Sequence, residues 1–134
     1  MNWDVAFAAI STYFSSAVTI GLSLATQFDN GPMPMVGDDD TWVRLTTLPS
    51  SGAQVGFGDG GRFRTNGLVI VQVFTPIAQG DGTVLATATA IAKLFLNKAI
   101  SPVQFRTPQI KVVGRSDNFW QVNIEMPFYH DYLP

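Results

Sequence analysis

The chain has 134 residues, of which 46% are hydrophobic and only 13% are charged, whereas about 25% is usual in soluble domains. This length predicts one domain, residues 1–134, around one hydrophobic core. A net charge of −2 disfavours binding of nucleic acid, which requires clustered lysine and arginine. The absence of cysteine excludes disulfides, thiolate zinc sites and cysteine nucleophiles. So sparsely charged a surface suggests that other subunits cover part of it.

Residues 5–28 contain no charged side chain, so a membrane span or a signal peptide has to be considered. Serine, threonine and glutamine side chains interrupt the segment throughout, and Asp4 lies where a signal peptide needs a basic residue. We therefore expect no membrane partner. Helical spacing instead predicts an amphipathic helix that starts after Asn2 and buries five side chains on one face. These are Trp3, Phe7, Ile10, Phe14 and Ala17.

After this helix, Gly21 is expected to break the segment, and the alternation of Ile20, Leu22, Leu24 and Phe28 predicts a half-buried strand. Proline, glycine and three aspartates then predict a long loop at residues 30–40.

The middle of the chain has the alternation typical of antiparallel strands. The predicted strands are Trp42–Leu48, Gln54–Phe57, Arg62–Arg64 and Leu68–Thr75, the last closed by Pro76, and together they suggest a meander. A helix is predicted at Thr83–Leu96 with a buried stripe of Val84, Ala88, Ile91 and Phe95, joined by Leu85 and Ala92. Gln109–Val113 and Trp120–Met126 are the last two predicted strands. The fold class that follows is α+β, with a mostly antiparallel or mixed sheet, an N-terminal helix and a second helix packed on the sheet.

The motifs that suggest chemistry each lack the context that the chemistry needs. Residues 56–61 satisfy G-x-G-x-x-G, but a strand pattern follows them where a dinucleotide site requires a helix. Asp38, Asp39 and Asp40 are adjacent and lack the spacing of a calcium loop, so a solvated loop is the simpler interpretation. Glu125 is the sole glutamate and is expected to face solvent or an arginine. We therefore predict no cofactor, no metal site and no catalytic residue.

His130 is the sole histidine and the one candidate for a catalytic base. No nucleophile elbow accompanies it, and a position so near the C-terminus is poorly suited to hold a base rigidly. We therefore do not expect an enzyme. A small ligand-binding or hydrolytic α+β domain that uses His130 remains the alternative from a different functional class.

Charged and aromatic side chains supply the candidate interface residues. Arg62 and Arg64 share one face of a short strand and could present a basic stripe to an acidic partner. Trp120, Phe128, Tyr129 and Tyr132 make the C-terminal region aromatic, which is typical of interface hot spots, although core packing explains Trp120 equally well. Asp38, Asp39 and Asp40 complete the candidate interface set.

The order of these segments resembles the tail terminator family of long-tailed bacteriophages. The resemblance rests first on an N-terminal helix that leads to a strand ending in Phe28-Asp29-Asn30, and on residues 41–45 after a proline-containing loop. It also rests on residues 61–67 followed by the strand at residues 69–76, on the Gly80-x-Gly82 segment before the second helix, and on the closing strand at residues 120–122. It covers nearly the whole chain. The glycine-rich turn at residues 53–61 and the segment Ile77-Ala78-Gln79 depart from the family pattern.

The resemblance implies a homohexameric ring at the head-proximal end of the tail tube. Such a ring stops polymerisation of the tail tube protein and offers a surface to the head-tail connector protein, while DNA only passes through its lumen. It implies a location in the virion, after assembly in the host cytoplasm. The loops at residues 31–40 and 53–61 would be axial contacts, Arg62 and Arg64 subunit or tube contacts, and Asp38 to Asp40 would face the lumen or a neighbouring ring. Another neck, tail-completion or head-tail joining protein is the alternative within the virion.

Overall fold

The computed structural model describes residues 3–29, 31–32, 34, 37, 40–54, 63–77, 81–116 and 119–132. Within these residues the helices are α1 (Trp3–Phe14), a π-helical segment (Ser15–Ile20) and α2 (Asp81–Phe95). The strands are β1 (Ala25–Gln27), β2 (Trp42–Gln54), β3 (Phe63–Pro76), β4 (Ala99–Ile100), β5 (Val103–Phe105), β6 (Gln109–Ser116) and β7 (Phe119–Tyr132). The predicted α+β class is thereby confirmed.

The strands form one mixed sheet in the order β1-β2-β3-β7-β5-β4, and β6 also pairs with β7. The first half of β7 contacts β6 and its second half contacts β5, while β3 runs along the whole other side of β7. β1 pairs with β2 in parallel, and the other pairings are antiparallel. The antiparallel arrangement predicted for residues 42–75 is present in the pairing of β2 with β3, but two long strands replace the four predicted ones, and β3 pairs on its other side with β7.

The core lies between the two helices and one face of the sheet. From α1 and the π-helical segment, Ala6, Ile10, Phe14 and Val18 are fully buried, and a spacing of four keeps them on one side of a helix. Alternate residues of β2, β3 and β7 meet them from the sheet. These are Val43, Leu45, Val69, Val71, Val73, Val122, Ile124 and Met126. The buried helical stripe thus runs through Ala6 and Val18, whereas Phe7 and Ala17 are only half-buried.

The predicted α2 stripe is confirmed, since Val84, Ala88, Ile91 and Phe95 are all fully buried. Leu85 was expected to join this stripe, and that expectation is wrong because it is exposed on the side of α2 that faces β6.

The strand predicted through Ile20 and Leu22 is wrong. The helical backbone continues to Ile20, and Gly21 keeps helical dihedral angles as its N–H donates to the carbonyl of Ser16. A Cβ on Gly21 would collide with the carbonyl oxygen of Ala17, so the glycine here permits a tight helix end. Val18 is buried and continues the apolar stripe of the helix beyond Phe14. The free energy gained by this burial favours a helix here over the strand that the alternating pattern predicts.

Two further corrections concern strand lengths. β2 and β3 are longer than predicted, with a register irregularity between Pro49 and Gly52. Residues 55–62, which include most of the predicted segment Gln54–Phe57, lie outside the described residues. β7 continues past Met126 to Tyr132 because β3 and β5 pair with its C-terminal half. The short strands β4 and β5 were not predicted, since two and three residues carry no readable period.

Candidate functional site

The face of the sheet opposite the helices, here called the outer face, carries Arg64 and Tyr129. The guanidinium carbon of Arg64 lies 4.2 Å from the centroid of the Tyr129 ring, and its Nε and Nη2 atoms donate to Asp131 over 2.8 and 3.1 Å. The hydrogen bond to Asp131 raises the pKa of the Arg64 guanidinium above its usual range. Arg64 is therefore already engaged within its own chain.

A second arginine approaches the same ring. The guanidinium carbon of Arg106, which follows β5, lies 4.8 Å from the centroid of Tyr129, and Arg106 is exposed. No carboxylate among the described residues lies within salt-bridge distance of it. Sequence reasoning missed Arg106, because only the pairing of β5 with β7 brings it beside Tyr129.

The other end of the outer face carries aromatic side chains that are themselves buried, among them Trp42 and Phe74. The Trp42 and Phe74 rings stack with centroids 4.3 Å apart, and Phe119 meets both edge-on. The Arg44 guanidinium lies 5.4 Å from both stacked rings and donates to the side-chain oxygens of Gln27 and Gln72. This arginine ties β1, β2 and β3 together, so it acts structurally.

The remaining predicted site residues are distributed over the molecule. Trp120 is half-buried against the core and so packs within its own chain. The Asp40 carboxylate accepts a hydrogen bond from the N–H of Gly37 over 2.8 Å. Tyr132 ends β7, opposite Phe63. Arg62, Asp38 and Asp39 lie outside the described residues. The structure therefore brings Arg64 and Tyr129 together and separates both from Trp120.

Glu125 was expected to face solvent or an arginine. It lies on the outer face, and its carboxylate accepts from the ammonium group of Lys111 on β6 over 2.7 Å. The partner is a lysine, and the pair joins β6 to β7.

His130 is buried, with a relative exposure of 1%, among Trp3, Thr65 and Val103. Burial lowers the pKa of its imidazole, because a charged ring would lose its hydration there. The expectation that a C-terminal position leaves this residue loosely held is wrong, since strands on both sides fix the backbone.

Both ends of the sheet expose apolar side chains. At one end β6 is an edge strand in the described part of the chain, and with the adjacent side of α2 it forms what we call the β6–α2 flank. Its exposed apolar residues are Leu85, Leu96, Ile110, Val112 and Val113. A shallow apolar groove, lined in part by Ala92, Leu96 and Ile110, separates α2 from the strand.

The opposite end, here called the β1 flank, consists of the end of the π-helical segment and β1 with the residues beside it; among the described strands β1 lies at the edge of the sheet. Ile20 and Leu22 are exposed there, Ile20 by 73%, and Thr19 and Thr26 connect the helical end to β1 through a 2.8 Å hydrogen bond. Asp29 lies beside β1 and accepts from the N–H of Thr47 over 2.9 Å. Large apolar side chains are thus exposed at both ends of the sheet.

The described residues contain no cluster of three or more histidine or acidic side chains suited to a metal ion. No helix among them has the length and apolar character of a membrane span.

No protein-family model matches the chain, and no curated protein matches it. One solved structure, whose name states no function, is similar over 100% of this chain and 99% of its own length. The TM-score is 0.73 and the sequence identity is 19%. At that identity the likeness concerns the fold alone, and it supports the α+β architecture over the whole chain.

Proposed function

We propose that the chain is a structural subunit of a long-tailed phage virion, a tail terminator that forms a ring at the end of the tail tube. The observation that carries this proposal is the pair of exposed apolar flanks at opposite ends of one sheet. Two different surfaces on one subunit favour head-to-tail association, which closes into a ring where the rotation allows. The sequence segments follow an order that resembles the tail terminator family, and this resemblance is the reason for proposing that the ring ends the tail tube.

In this proposal the ring caps the tail tube, stops polymerisation of the tube protein and offers its other axial side to the head-tail connector protein. DNA passes through the lumen without being held, in keeping with a net charge of −2. The subunit needs no cofactor, and its place is the neck of the virion after assembly in the host cytoplasm. Arg64 and Tyr129, with the exposed Arg106 beside them, remain candidate contacts to tube or connector.

The burial of His130 supports a non-catalytic role over the alternative of a small hydrolytic domain. A general base has to reach the proton that it removes. The imidazole of His130 is 1% exposed and lies against the Trp3 ring, 5.1 Å from it between centroids. A hydrolytic site would therefore require a local opening of β7.

The test is the mass and shape of the purified protein at high concentration, by light scattering after size exclusion and by electron micrographs. We expect particles of six subunits with a central hole. Rings of another symmetry would favour a different neck protein. A monomer that turns over a small substrate, and loses that activity on His130→Leu, would contradict the proposal.

A further inference from the structure

We propose that the β6–α2 flank of one subunit binds the β1 flank of the next copy, so that these two surfaces form the subunit interface. This inference rests on the proposed ring and assigns its contacts to particular residues. The first step is the edge strand. Val112 is 59% and Val113 is 53% exposed on β6, beside a groove that α2 leaves open. An edge strand with exposed β-branched residues is costly to leave uncovered, because it invites pairing with other chains.

The second step is charge. The β6–α2 flank carries Lys93 at the end of α2 and Arg115 on β6, both exposed, and no described carboxylate lies within salt-bridge distance of either. At the β1 flank, Asp29 is exposed, and in the described part of the chain its carboxylate binds only the backbone N–H of Thr47. In the described part of the chain, the β6–α2 flank therefore offers two exposed cations and the β1 flank an exposed carboxylate, while the half-buried Arg44 beside β1 is held by Gln27 and Gln72.

The third step is the identity of the occupant. The two flanks lie at opposite ends of one sheet, and both are apolar, but their exposed charges differ in sign. A second copy of the chain therefore offers each flank an apolar surface with the opposite charge. Contact between two like flanks would bring the same charge together and is disfavoured. The contact is thus head-to-tail, and repetition generates either a closed ring or a filament.

The chain contains no cysteine, so single cysteines can report which surfaces meet. The test uses Ile20→Cys on the β1 flank and Val112→Cys on the β6–α2 flank, with a short bismaleimide cross-linker. Ala8→Cys, exposed on the solvent side of α1, is the matched control. Because all three positions are exposed, the thermal midpoint of each variant should stay that of the parent, which verifies folding.

We expect a mixture of Ile20→Cys and Val112→Cys to give a covalent heterodimer several-fold more abundantly than either variant gives a homodimer. A chain with both substitutions should give a ladder that ends in a closed oligomer. Added salt, or Lys93→Glu with Arg115→Glu, should lower the heterodimer yield several-fold, since screening and charge reversal weaken a contact between basic and acidic flanks.

A heterodimer yield no higher than that of Ala8→Cys mixed with Val112→Cys would overturn the inference. Predominant homodimers of Val112→Cys would also overturn it, because they would place like flanks together. The outcome is separable from the proposed function. Six-subunit rings without this cross-link would refute the proposed interface but not the proposed ring. The cross-link in a particle of another size would refute the tail terminator but not the interface.

Discussion

Gly67 in β3 lies under the ring of Phe128, its cross-strand neighbour on β7. A Cβ at this position would lie 2.7 Å from Cε1 of that ring, inside the distance of any ordinary contact. Gly67→Ala must displace the Phe128 ring from the core, and overpacking of this kind costs about 1–3 kcal/mol. Urea unfolding measures the loss.

Gly82→Ala is the matched control, because a Cβ on Gly82 would meet nothing within 4 Å and the residue lies in α2. Alanine lowers the entropy of the unfolded chain and favours the helix, so this variant should be as stable as the parent or more stable by up to about 1 kcal/mol. Equal losses for the two variants would contradict the packing argument.

The burial of His130 predicts that the stability of the fold depends on pH. Burial lowers the pKa of its imidazole in the folded state, so the unfolded chain binds a proton more readily than the folded chain. Stability is therefore fully present above the ordinary imidazole value of 6.5 and falls as the pH drops below it. The melting temperature should decline between about pH 6.5 and pH 5, above the range in which carboxylates titrate.

The decline should be much weaker in His130→Leu, and the assignment is clean because the chain has no other histidine. An unchanged decline in the variant would show that other groups cause it.

At the scale of elements, α2 stabilises the fold through its buried stripe. Ile91 is fully buried against the sheet, whereas Leu85 is exposed on the β6 side of the same helix. Ile91→Ala should cost about 2–5 kcal/mol through lost burial and a residual cavity. Leu85→Ala should cost less than about 1 kcal/mol and so serves as the control. Denaturation midpoints of both variants measure the difference, and similar losses would refute the observed orientation of α2.

The elements that the sequence predicted well are those with a long, regular apolar period. α2 and the Leu68–Thr75 part of β3 extend over several repeats, so the pattern alone identifies their buried sides. The helix was predicted as far as Ala17, and the error begins at Ile20 and Leu22, which suit either a helix or a strand; burial of Val18 decides between them. β4 and β5 depend on pairing with β7, which no local pattern reveals.

The candidate site shows the same limit. Arg64 and Tyr129 are each visible in the sequence as a basic and an aromatic residue. Their contact, and the approach of Arg106 to the same ring, depend on the positions of β3 and β5 on either side of β7. The exposed apolar flanks were likewise beyond prediction, since only the strand order shows which apolar residues the core leaves uncovered.

At the scale of the whole molecule, the low share of charged residues and the two exposed flanks have one explanation in the proposed ring. The sheet and both helices bury one continuous core, so the subunit folds around its own interior. The flanks lie outside that core, and head-to-tail copies would cover them. Charge of opposite sign on the two flanks would set the direction of the contact.

The most direct measurement is electron microscopy of phage tail tubes polymerised from their purified tube protein, with and without the purified subunit. The account predicts a six-subunit ring at one end of each tube and tubes that stop growing once capped. Tubes that lengthen unchecked, with bare ends at saturating subunit, would contradict it.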